Sequence, residues 1–171
     1  MDETFSGQSK VRKAELIKPP NKLKEKVGSG GIDMRVIQKA QNLLENNNVD
    51  FKPQATILME VLTEAINDAK SGNAKGEDAI EAIMYPAMQL KAQGAMFKYP
   101  LISDIANILV NFLETVTLID KDVLDITVAH RMSLNAVLAG EIKGDGGKIG
   151  KELRDELMDA CNRYYKHRAA G

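Results

Sequence analysis

Few residues in this chain have the type and spacing that chemistry requires. The glycine-rich stretch Gly144-Asp145-Gly146-Gly147-Lys148-Ile149-Gly150-Lys151 invites comparison with a phosphate-cradling loop. The spacing fails. Asp145 stands where the leading glycine belongs, and Glu152 stands where a metal-binding Ser or Thr would follow the lysine. The dinucleotide pattern fails too, because its last glycine falls on Ile149. The stretch therefore reads as a turn between helices. Asp120, Asp122 and Asp125 lack the central glycine and closing glutamate of a calcium loop, and read as charges favouring a helix N-terminus. The histidines, His130 and His167, lie far apart with no acidic cluster at ligand spacing, so no metal site is expected. Cys161 is the lone cysteine, which forbids an internal disulfide and fits a reducing compartment.

Helices must position these groups. Hydrophobic residues make up 44% of the 171-residue chain, which is enough for one core. Aromatics are only 5%, so that core is aliphatic, and helix packing on helix is favoured over a β-sandwich. Residues 1–32 crowd basic side chains around Pro19-Pro20 and end in Gly28-Ser29-Gly30-Gly31, which predicts a flexible basic tail. From Asp33 the apolar spacing turns helical. Helices are expected over about 33–46, 53–70, 77–97, from just after Pro100 to Val116, 121–142 and 148–166. Pro86 should kink the third of these or delay its start. Short connections make consecutive helices antiparallel neighbours. The expected fold is thus all-α, an up-and-down helical bundle over 33–168 with an extra N-terminal helix.

With 23 basic against 24 acidic residues, bulk charge gives no support to a nucleic-acid partner. No apolar run reaches the roughly 18 residues of a membrane span, and the first residues carry no signal-peptide pattern. A cytoplasmic location without a membrane partner is expected, and no cofactor is implied.

The most informative stretch is Ala87-Met88-Gln89-Leu90-Lys91-Ala92-Gln93-Gly94-Ala95-Met96-Phe97-Lys98-Tyr99-Pro100-Leu101. It resembles the signature of histidine phosphotransfer domains, in which an alanine precedes the phosphoacceptor His, then Leu-Lys-Gly follows, with a later glycine. More narrowly, it is similar to small phosphotransfer-like proteins of alphaproteobacterial signalling and chemotaxis systems. The segment Ile17-Lys18-Pro19-Pro20-Asn21 is similar to that group as well. The resemblance is clear over about 77–117 and implies a four-helix phosphotransfer-like core over about 53–166. Ala87, Leu90 and Lys91 match. The acceptor falls on Met88, and the two family glycines fall on Ala92 and Lys98.

Methionine has no nucleophilic ring nitrogen and cannot carry a phosphoramidate. The resemblance therefore implies a non-catalytic adaptor of two-component signalling. Its partner would be a response-regulator receiver domain or a histidine kinase, docked through Met88, Gln89, Lys91, Ala92, Ala95 and Lys98. Small Ala92 would admit the partner, and Lys91 would meet acidic oxygens. Two active alternatives stand beside it. One is phosphotransfer through His130, within Ala129-His130-Arg131-Met132-Ser133-Leu134. On a helix, however, His130 shares the core-lining side of Val123, Ile126, Leu134 and Val137. The other is a receiver phosphatase whose Gln89 or Gln93 amide orients water. The residues one turn from these are Tyr85, Gln93 and Phe97, none of them acidic. A helical interaction module unrelated to phosphate is the third reading.

Overall fold

The computed structural model describes residues 22–28, 31, 33–46 and 49–169. The Ile17–Asn21 motif and most of the basic tail lie outside the described residues. Within the expected tail, Lys22–Val27 forms a short helix, α1. Helix α2 follows over Met34–Glu45. The Asp33 carboxylate accepts the Arg35 backbone N–H, so the residue expected to start this helix does bond its first turn.

The chain divides into one unit ending at Asn42 and a second from Leu43 onward. In the second unit the buried cluster runs from Phe51 to Tyr164. In α2, Val36, Leu43 and Leu44 remain exposed. Periodicity gave α2 an apolar face.

The second unit holds α3 (Lys52–Ser71), α4 (Gly76–Gly94), a 3₁₀ turn (Ala95–Phe97), α5 (Pro100–Leu113), α6 (Lys121–Ala139) and α7 (Gly147–Ala169). No strand occurs among the described residues. Helix starts and stops follow local chemistry. Pro53 and Pro100 sit in first turns, where a missing N–H costs nothing. Gly72 closes α3 in the left-handed conformation, φ 78°. Asp120 caps α6 by accepting the Val123 N–H at 2.9 Å. Pro86 lies buried inside α4, which runs on through it and neither starts late nor breaks there.

Contacts at the two ends define the topology. At one end the Phe51 ring stacks on Phe97 at 5.0 Å, and Lys52 ion-pairs with Glu141. The Leu101 N–H there reaches the Gly144 carbonyl. This end therefore gathers the starts of α3, α5 and α7 with the finishes of α4 and α6. At the other end Arg168 of α7 lies 3.6 Å from Asp120 at the start of α6. Successive helices run up and down. α3, α4, α5 and α6 pack in a closed ring, and α7 lies against α5 and α6.

Candidate functional site

Helix α4 is held by its inner face. Ile83, Ala87, Leu90 and Gly94 are buried among α3 and α5. Gly94 lies close against the start of α5. A Cβ there would come within 2.8 Å of the Ser103 hydroxyl and 2.9 Å of the Tyr99 carbonyl oxygen. Ser103 in turn accepts the Ala95 N–H at 2.7 Å, fixing the exit of α4.

With that face inward, the opposite face points to solvent. Met88 is 51% exposed, Ala92 and Ala95 are exposed, and Lys91 is half-buried beside them. Gln89 and Gln93 are half-buried, and the Gln93 amide donates to Gln89 Oε1 at 3.0 Å. This bond links the two amides one turn apart, with no carboxylate in it. Lys98 follows the 3₁₀ turn at φ 69°, in the left-handed region that favours glycine. Of the expected docking residues, Met88, Lys91 and Ala92 fall on one side of α4, and Ala95 opens the 3₁₀ turn that follows. Lys98 lies past its end.

His130 is elsewhere. It is fully buried on α6 among the core side chains. Its Nδ1 lies 2.8 Å from the Ile126 carbonyl oxygen, so Nδ1–H donates there and Nε2 carries the lone pair. Nε2 is buried with no hydrogen-bond partner among the described residues. Desolvation pushes the imidazole below its ordinary pKa, and the Ile126 bond only partly opposes this. A ring enclosed in this way cannot meet a phosphoryl donor without the bundle opening. Burial also pushes the Cys161 thiol up to about 11, which leaves it protonated and unreactive near neutrality.

The His130 environment makes stability depend on pH. The unfolded ring titrates near its ordinary value of about 6.5, and the folded ring below it. Between those values the unfolded chain binds more protons. Unfolding free energy should therefore be full above about pH 6.5 and fall as pH drops below it, by at most about 1.4 kcal/mol per pH unit. Urea midpoints between pH 7.5 and 5 should show this fall, and His130→Leu should flatten it. An unchanged slope in the variant would refute the assignment.

Sequence reasoning missed a neighbouring feature. Between α3 and α4 runs a groove of about 700 Å³. Val61, Ala65, Met84, Tyr85 and Met88 supply its apolar lining. Glu64, Asp68, Asp78 and Glu81 supply its charge. The acids are scattered over two helices, so no sequence window shows them together. Tyr85, an aromatic in a chain poor in aromatics, stands 62% exposed there, which only the fold reveals.

No group of three or more metal-ligating side chains occurs among the described residues, and no described helix is long and apolar enough to cross a membrane. The arrangement is that of a helical bundle with a solvent-facing, partly apolar helix surface. Comparisons with protein-family models, with curated proteins and with solved structures each found no match.

Proposed function

We propose that this protein is a non-catalytic, phosphotransfer-like adaptor of two-component signalling, acting in a phosphorelay or chemotaxis pathway. It docks a receiver domain or a histidine kinase through the Met88–Lys91–Ala92 face of α4. The observation that carries this reading is the exposure of Met88 on a helix whose other face is anchored in the core. In the resemblance, Met88 occupies the acceptor position. A flexible thioether there suits contact without chemistry. Ala92, one turn on, is small and exposed, and leaves room for a partner to approach.

Lys98 is compatible with the same alignment. The resemblance aligns it with a family glycine, and its backbone adopts φ 69°, which glycine accommodates best. Relay through His130 would need the buried ring to reach solvent, and the Gln93 amide is already engaged by Gln89.

Such an adaptor competes with genuine relay proteins for the same receiver surface. The test is a labelled phosphotransfer assay against a panel of phosphorylated receiver domains, with and without an authentic relay protein. This protein should take up no label and should slow the exchange. Lys91→Glu should weaken receiver binding about tenfold or more, equivalent to about 1.4 kcal/mol. Label on this protein, or binding untouched by Lys91→Glu, would overturn the reading. Faster loss of receiver phosphate would point instead to phosphatase chemistry.

A further inference from the structure

The groove between α3 and α4 has a composition that the receiver-docking reading does not use. Its floor is apolar and open to solvent. Val61 is 38% exposed, and Tyr85 and Met88, three residues apart on α4, are exposed as well. Exposed apolar side chains gathered in one concave strip mark an interaction site more strongly than the same residues scattered. Its charge has a single sign. Glu64 and Asp68 come from α3, and Asp78 and Glu81 from α4. None of the groove's lining residues is basic, and no ion pair among the described residues involves these four. The chain as a whole is nearly neutral, so this negative strip is a local concentration and not a reflection of net charge.

The length of the strip bounds its occupant. Val61 to Asp68 and Asp78 to Met88 cover roughly 10–15 Å of helix at about 1.5 Å per residue. That matches two to three turns of a helix laid along it. A helix with an apolar stripe at i, i+3, i+4 and i+7 would cover Val61, Tyr85 and Met88, and basic side chains flanking the stripe would meet the four carboxylates. A second copy of this chain is a poor fit, because a two-fold pairing through the groove would oppose the same carboxylates to one another.

We propose that the α3–α4 groove binds a basic amphipathic helix of a partner protein. The proposal shares Met88 with the receiver-docking surface and none of the acidic residues, so the two can fail separately.

The test uses the full chain and a fluorescein-labelled 18-residue peptide of leucine and lysine in an amphipathic helical pattern, titrated by anisotropy. Saturable binding is expected, weaker at 300 mM than at 50 mM salt. Glu64→Lys with Glu81→Lys should weaken it at least tenfold, and Tyr85→Ala should weaken it through the apolar contact alone. The control pair Glu114→Lys with Glu156→Lys, exposed acids away from the groove, should leave it unchanged. Lys91→Glu should not weaken peptide binding while it weakens receiver binding. No binding, or equal losses in the groove and control pairs, would overturn the proposal. So would self-association of the chain that Glu81→Lys abolishes, which would make a second copy the occupant.

Discussion

Phe112→Ala should lower the unfolding free energy by about 3–5 kcal/mol, among the largest losses a single truncation can cause here. Phe112 is on α5, the helix that packs against α4, α6 and α7. Its side chain is 1% exposed. Its ring meets the Tyr164 ring edge-on, with centroids 5.2 Å apart and planes at 80°, and lies 5.9 Å from the Tyr165 ring. Both partners belong to α7. Truncation therefore removes buried apolar area, leaves a cavity between α5 and α7, and deletes two aromatic contacts in a chain with few aromatics. A domain of this size holds only about 5–15 kcal/mol in total, so the loss is a large share of the margin. Urea unfolding measures it. Leu118→Ala, at an exposed position, should stay within about 0.5 kcal/mol. A Phe112→Ala loss below about 1 kcal/mol would mean that α7 does not depend on this contact.

Gly150→Ala should cost about 1–3 kcal/mol or more, and the reason bears on function. Gly150 is buried where α7 begins, and its N–H donates to the Gly146 carbonyl oxygen at 3.0 Å. A Cβ on Gly150 would fall far inside contact of the Asp145 carbonyl oxygen, and one on Gly146 would come within 2.7 Å of a Leu101 methyl. Gly146 also sits at φ 72°, where a side chain is strained. Arg154 holds the same loop, donating to Asp104 at 3.1 Å and to the Asp145 carbonyl at 3.3 Å. The glycines of this stretch let a turn pack tightly against the start of α5. A phosphate-binding role makes the opposite forecast, with stability nearly unchanged by Gly150→Ala and nucleotide binding lost. The expected outcome is a lowered melting temperature for Gly150→Ala, little change for Lys151→Ala, and no shift in either when ATP is added.

The sequence by itself determined the helical class and the approximate span of the core helices. Period-3.6 apolar spacing, Pro53 and Pro100 at helix starts, Gly72 at a helix end and Asp120 as a cap are local signals. They act within a turn or two, so they can be read without knowing the partner helix. The core-lining side of His130 was legible for the same reason, because neighbours at helical spacing fix a face. Helix ends were less so. α5 stops at Leu113 although Val116 is buried, since a turn can bury an apolar residue as well as a helix can.

Tertiary structure alone decided the rest. It began the buried cluster of the second unit at Phe51, because amphipathicity states that a face exists and not what covers it. It turned Met88 outward and engaged the Gln89 and Gln93 amides with each other. It brought Glu64 and Asp68 of one helix beside Asp78 and Glu81 of the next, around Tyr85 and Met88. A surface formed by two helices depends on their rotation and register, and these are set by the packing of Ile83, Ala87 and Leu90 against the core, not by any pattern along a single helix.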